Sequence, residues 1–301
     1  MKKLYLLTVV ALLVSVFSTS IGFKAEASPN VSARNAIVLD IDSNEILYEK
    51  QPQEKRNIAS ITKIMTAIVA VENGDLDDQV TISSNAVNKE GSSIYTKPGD
   101  RYSLRDLVYG LMLRSGNDAA TAIAEHVGGS EKGFAFLMNE KRRWIGMKNS
   151  SFKNPHGLDE EDHYSTAYDM ALLTSYAMKN DEFRKIFGTK KYLSENIDYY
   201  WFNKNKLLMT NDYCTGGKTG FTKSAGRTLV TTAERDGKEI VVVTLNASND
   251  WSDHRVLYDY AFEKLEKRSD GIDEEMLDFP TFIKSYFDVL DRMHGVKEWS
   301  T

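Results

Sequence analysis

Two hydrophobic periodicities divide this chain. Short alternating or continuous apolar runs lie towards its ends, and 3.6-residue stripes fill its middle. Asn35 to Lys50 predicts a hairpin, with Ala36-Ile-Val-Leu-Asp-Ile-Asp as one strand, Asp42-Ser-Asn-Glu as the turn and Ile46-Leu-Tyr-Glu as the return. From about Ser60 to Glu72, Ile64, Met65, Ala67, Ile68, Val69 and Ala70 are apolar on nearly every side. That predicts a buried helix, stopped by Asn73-Gly74. Val80-Thr-Ile is a short strand candidate. Ser103, with Asp106 three residues on, predicts a capped helix start, and Leu104, Leu107, Val108, Leu111 and Met112 continue it. Ser115-Gly116-Asn117 breaks the pattern, which resumes over Asp118 to Val127. Further helices are predicted near Glu131 to Met147 and Thr166 to Met178.

Strands return at Arg227-Thr-Leu-Val-Thr-Thr-Ala and Glu239-Ile-Val-Val-Val-Thr-Leu, joined by the hairpin turn Arg235-Asp-Gly-Lys238. Trp251 to Lys267 reads as a closing helix. Strands at both ends around a helical middle predict an α+β fold: an antiparallel sheet built from the two ends, flanked by helices. The expected organisation is a catalytic domain over 28–267, with a mostly helical subdomain at about 75–185 inserted. The aromatic group Tyr199, Tyr200, Trp201 and Phe202 fits either packing or a substrate-facing wall.

The ends read differently. Lys2 and Lys3, the apolar run Leu4 to Phe23 and Ala25-Glu-Ala27 before Ser28 predict a cleaved signal peptide, 1–27, and export to the cell envelope or beyond. Residues 268–301 hold a polar linker and the stripe Phe282, Ile283, Tyr286, Phe287, Leu290, Met293. That stripe fits a helix docked on the domain, or a partner or peripheral membrane contact through 281–293. Asp288 and Asp291 weigh against the membrane.

The 301 residues carry Lys+Arg 38 and Asp+Glu 43. Without Lys2, Lys3, Lys24 and Glu26, 35 basic residues face 42 acidic ones. This acidic balance excludes a nucleic-acid backbone binder. Cys214 is the single cysteine, so no internal disulfide staples the exported chain, and a buried role beside Gly216-Gly217 suits it better than a nucleophile.

The candidate chemistry starts at Ser60-x-x-Lys63. One turn apart on a helix face, an amine kept neutral by burial can take the proton of a hydroxyl. The pattern alone is weak: about one copy is expected by chance at this length, and Ser150-x-x-Lys153 is a second, which runs into Asn154-Pro155. Lys218-Thr219-Gly220 is rarer. It follows Gly216-Gly217 and leads towards the strand near Arg227. Its cation and hydroxyl suit a carboxylate, and its glycine permits close backbone approach; the bland alternative is a glycine-rich turn. Ser115-x-Asn117 sits at the break between helices. His156 with Asp159 or Asp162 suggests a Ser-His-Asp arrangement, but that leaves Lys63 and Lys218 without a use. The five histidines (His126, His156, His163, His254, His294) show no zinc-peptidase spacing, so neither metal nor cofactor is expected.

In this order the three motifs resemble the serine penicillin-recognising enzymes (β-lactamase/transpeptidase-like). More narrowly the chain resembles the low-molecular-mass D-alanyl-D-alanine carboxypeptidases. Ala59-Ser-Ile-Thr-Lys-Ile-Met-Thr, Leu113-Arg-Ser-Gly-Asn-Asp-Ala, Asn154-Pro-His-Gly-Leu, His163-Tyr-Ser-Thr-Ala-Tyr-Asp-Met and Gly217-Lys-Thr-Gly-Phe-Thr carry the likeness. The resemblance implies Ser60 as nucleophile on a peptidoglycan stem peptide, Lys63 as its base and Ser115 as proton relay. It implies Asn117 on the substrate amide, Lys218, Thr219 and Gly220 on the terminal carboxylate side, and an oxyanion hole from the backbone N–H of Ser60 and Phe221. It implies β-lactams as covalent inhibitors. A β-lactamase, an endopeptidase or transpeptidase, and a non-catalytic peptidoglycan binder are the alternatives. The first needs a deacylating carboxylate, for which Glu160, Glu161 and Asp162 are candidates.

Overall fold

The computed structural model describes residues 28–268 apart from residue 195. The expected signal peptide and the 281–293 stripe lie outside the described residues.

The chain's two ends meet in one five-stranded antiparallel sheet. β1 (Asn35–Asp40) and β2 (Ile46–Lys50) form the expected hairpin, and β7 (Cys214–Thr222), β8 (Gly226–Arg235) and β9 (Lys238–Ala247) complete the order β2-β1-β9-β8-β7. β1 pairs with β9 along its whole length, Asn35 opposite Leu245 and Asp40 opposite Ile240, so the first strand of the domain closes on the last. The β8–β9 turn has Asp236 at φ 53 and Gly237 at φ 74, the paired positive angles that a right-twisted two-residue hairpin demands.

Both faces of the sheet are covered, which explains the unbroken apolar run of β9. Ile37, Leu39, Val230, Val241 and Val243 face a large core shared with the helices of the middle. Ala36, Val38, Leu229, Ile240 and Val242 face a second core closed by Leu257, Tyr258, Ala261 and Phe262 of the helix 250–268.

The middle holds α1 (Lys63–Asn73), α2 (Ser84–Val87), α3 (Leu104–Tyr109), α4 (Asn117–Gly128), α5 (Glu131–Ile145), α6 (Ala167–Ala177) and α7 (Asp181–Phe187). It also holds two small hairpins, β3 (Gln79–Thr81) with β4 (Arg101–Ser103), and β5 (Lys191–Leu193) with β6 (Tyr200–Phe202). Ser103, Ser130, Thr166 and Asn180 accept backbone N–H groups at the starts of α3, α5, α6 and α7. α1 is buried through Lys63 to Ala70 and runs through the large core, as its all-round apolar sequence predicts.

Two expectations are corrected, and a third is refined. The Lys218-Thr219-Gly220 motif leads towards the strand near Arg227, which is β8, but it is not a turn: it lies inside a strand of its own, β7, at the sheet's edge. Glycines deplete strand propensity, which hid this strand; here the edge needs them for close approach. Ser60 is not in an α-helix. It occupies a 3-10 turn, Ala59–Thr62, ahead of α1. The 199–202 aromatics divide by strand alternation: Trp201 is buried, while Tyr200 and Phe202 on the opposite face of β6 are exposed.

Candidate active site

The 3-10 turn is what aligns the first pair. In such a turn residues three apart eclipse one another, and Lys63 Nζ lies 3.1 Å from Ser60 Oγ. Ala59 enters the turn at φ 49, a left-handed angle for a residue with a Cβ, and Thr228 Oγ1 of β8 holds the preceding Ile58 carbonyl at 3.0 Å. β7 then passes beside Ser60. A Cβ on Gly220 would lie 2.9 Å from Ser60 N and 3.1 Å from Ile61 N, and would collide with Thr228 Oγ1. Only glycine allows the edge strand this close to the serine backbone.

Ser115 is placed by an irregular helix end. α3 passes into a π-helical segment, Gly110–Arg114, and Ser115 leaves it in the left-handed region at φ 64, ψ 34. Such widened turns recur at functional sites. Ser115 Oγ thereby reaches Lys218 Nζ at 3.1 Å, and Asn117 becomes the first residue of α4, buried against Lys63. Lys218 Nζ also donates to the Thr219 carbonyl at 2.9 Å.

Lys63 is wholly buried, at 0 % exposure, and has three oxygen neighbours: Ser60 Oγ, Asn117 Oδ1 at 2.7 Å and the His156 carbonyl at 2.6 Å. Burial first, then the neighbouring charges of Lys218 and Lys204, push its pKa well below the usual lysine range. The neutral amine has two N–H bonds and one lone pair. The Asn117 and His156 carbonyl oxygens can only accept, so they take both protons, and the lone pair is left for the Ser60 hydroxyl to donate into. Lys218, 2 % exposed, is pushed down to about 7 by burial and by Lys204.

The serine opens on a cavity of about 460 Å³ lined by Ser60, Ser115, Thr219, Gly220, Phe221 and Arg227, with Ser92, Lys204, Asp250 and Trp251 completing the wall. Three of these lining residues are cations or acids that sequence reasoning missed. Lys204 donates to Ser92 Oγ at 3.0 Å, and Arg227 stands 3.9 Å from Asp250. No short motif marks them, because Lys204, Arg227 at the start of β8 and Asp250 at the start of the helix 250–268 meet only in the fold. The His156 carbonyl was missed for the same reason: a backbone acceptor leaves no residue-type signature.

Asn117 is not free in this arrangement. Its Oδ1 holds Lys63 and its Nδ2 donates to the Glu90 carbonyl at 2.6 Å, an arrangement that fixes the Lys63 amine. Neither His156 nor His163 serves the serine. His163 Nε2 faces Thr62 Oγ1 at 2.9 Å while its Nδ1 accepts from Lys153 N, and burial pushes it down to about 4. His156 turns its ring to Glu131. The Ser-His-Asp arrangement is therefore not formed. Cys214 is buried against the Gly216 carbonyl. Glu160 is engaged by Asn154 Nδ2 at 2.9 Å, and Asp250 is the one carboxylate among the cavity-lining residues.

The sequence profile of the D-alanyl-D-alanine carboxypeptidase family, Peptidase_S11, matches residues 23–249. D-alanyl-D-alanine carboxypeptidase DacF of Bacillus subtilis (strain 168) is 38% identical over 224 residues, covering 72% of this chain and 58% of its own length. DacC of Escherichia coli (strain K12) is 36% identical over 237 residues, again 58% of its length. The chain thus spans about 58% of these relatives. DacB2 of Mycobacterium tuberculosis is 31% identical over 244 residues, 78% of this chain and 84% of DacB2. Among solved structures, a D-alanyl-D-alanine carboxypeptidase from Mycobacterium tuberculosis H37Rv superposes with TM-score 0.76 at 30% identity, covering 80% of this chain and 95% of that one. The Streptomyces K15 DD-transpeptidase superposes with TM-score 0.74 at 31% identity, covering 79% and 100%.

Proposed function

Because the chain belongs to the D-alanyl-D-alanine carboxypeptidase family, we propose that it removes the terminal D-alanine from peptidoglycan stem peptides through an acyl-enzyme on Ser60. The observation that carries this reading is the buried, neutral-leaning Lys63 with its lone pair left for Ser60. The stem peptide lies along the open edge of β7 as an added strand. Ser60 attacks the carbonyl of the penultimate D-alanine, Lys63 takes its proton, and the oxyanion forms between the N–H groups of Ser60 and Phe221. Ser115, bonded to Lys218, passes a proton to the departing amine. Thr219 meets the terminal carboxylate at the cavity wall with the Lys218 cation behind it, and water then releases the acyl group. β-Lactams acylate the same serine. The work is done outside the cytoplasm, in the cell envelope, which agrees with the signal peptide expected over 1–27.

Incubation with a pentapeptide ending D-Ala-D-Ala is the test. Free D-alanine without cross-linked product is the expected result. Cross-linked dimer as the main product would favour the transpeptidase reading that the Streptomyces neighbour represents. Rapid turnover of penicillin would favour a β-lactamase, against which the engagement of Glu160 by Asn154 speaks.

Lys218 adds a pH signature. Its lowered pKa, about 7, means the cation persists below pH 7 and is lost above it in the free enzyme. kcat/KM for a peptide with a free carboxylate is expected to rise as Lys63 sheds its proton and to fall above about pH 7. An amidated peptide should lose the falling limb. Identical profiles for the two peptides, measured from about pH 5 to 10, would remove Lys218 from carboxylate recognition.

A further inference from the structure

The Asn154-Pro155-His156-Gly157 turn lies between Lys63 and a second cavity. Its His156 ring lines that cavity of about 690 Å³, on α5 and the 151–160 segment, which also includes Glu131, Lys89 and Asn139. The backbone carbonyl of the same His156 accepts from Lys63. Two successive carbonyls clip the turn to one face of α1: Thr66 Oγ1 donates to Pro155 O at 2.6 Å, and Lys63 Nζ donates to His156 O at 2.6 Å. Asn154 Oδ1 accepts from Gly157 N at 2.8 Å and closes the turn. Gly157 sits at φ +85 against the Ala59 carbonyl, where a Cβ would collide with it. On the outer side, Leu158 N donates to His156 Nδ1 at 3.3 Å, so Nε2 carries the ring proton, and it faces Glu131 Oε2 at 3.4 Å. Lys89 at 2.6 Å and Asn85 at 3.1 Å hold that carboxylate in turn.

We propose that this turn is a positioning device for the base, with Thr66 and Glu131 as its positioning residues. Thr66 fixes the Pro155 carbonyl and Glu131 fixes the His156 ring. Between them they keep the His156 carbonyl where it takes one Nζ proton of Lys63. If that carbonyl drifts, the amine is free to rotate and its lone pair leaves Ser60. The proposal rests on the reading of Ser60 as nucleophile and Lys63 as base. The charged groups facing Lys63 are Lys218, Lys204 and Asp118, and those around Glu131 are Lys89 and His156. The His156 contact, then Lys89 and Asn85, hold Glu131 down at about 2, so it is charged throughout the working range.

The test uses the full chain and the rate of acylation by a fluorescent penicillin, measured against concentration and pH. Thr66→Val keeps the shape and removes the donor. Thr66→Val and Glu131→Ala are each expected to lower the limiting acylation rate about tenfold, with the encounter constant changed less than about twofold. The acid limb of the rate should move to lower pH, because the ammonium loses a charge-assisted acceptor and so becomes the less favoured form. Glu131→Gln should recover most of the rate, since its side-chain carbonyl still accepts from His156 Nε2. Wild-type rates and an unmoved limb in Thr66→Val and Glu131→Ala would overturn the proposal. So would a slower rate that follows only a smaller folded fraction, with the limb in place. A wild-type chain that takes no label overturns the Ser60 reading itself, a failure visible before any variant is compared.

Discussion

Ser60→Ala is expected to abolish covalent labelling by penicillin and to lower D-alanine release by about 10⁴-fold or more. The size follows from the mechanism: without the hydroxyl there is no acyl-enzyme, and Lys63 has nothing to activate. What remains is the contribution of the oxyanion donors and of binding to direct attack by water. The fold should survive. Ser60 is only partly buried, and its Oγ has a single side-chain partner, Lys63, among the described residues. Removing a partly exposed hydroxyl changes stability by about 1 kcal/mol or less, a few degrees of Tm at this size. Calorimetry on the variant separates loss of chemistry from loss of structure. A Ser60→Ala protein that still takes a stoichiometric label, with the adduct mapped to another residue, would remove Ser60 as nucleophile.

The parts of this site legible in sequence are those where chemistry and local geometry coincide. Ser60 and Lys63 are three residues apart, so any helical turn brings them together, whether the turn is α or 3-10. The break at Ser115-Gly116-Asn117 was visible as a lapse of period, and its cause, a π-helical segment ending in a left-handed serine, was not. The sheet was legible where both faces are apolar, as in β1 and β9, and invisible in β7, where Gly216, Gly217 and Gly220 erase the strand pattern to let Phe187, Asn205 and the Ser60 backbone approach. The meeting of Lys218 with Ser115, 103 residues apart, is a property of the fold alone. So are Lys204 and Arg227 in the cavity wall. Asn117 shows what a residue type leaves unsaid: its amide engages Lys63 and the Glu90 carbonyl, partners that no spacing in the sequence announces.

Lys63→Met is expected to slow acylation by about 10³-fold, the scale of a general base, and to erase the acid limb of its pH profile. The sign follows from the lowered pKa of Lys63, set by burial and by Lys218. In the wild type the reactive neutral amine is protonated as pH falls through its folded value, so the rate falls; a thioether has no proton to gain. Stability pulls in two directions. Met removes the cost of burying an ionisable amine, yet it leaves Asn117 Oδ1 and the His156 carbonyl without their donor, at about 1–3 kcal/mol for each buried acceptor so exposed. The variant should therefore fold with a lower Tm, and the folded fraction should still bind penicillin non-covalently through the β7 edge. Retention of more than a tenth of the wild-type acylation rate, with the acid limb in place, would show that another group takes the Ser60 proton. Among the described residues no second base lies within hydrogen-bonding distance of Ser60 Oγ, which is why removal of the Ser60 proton is assigned to this one amine.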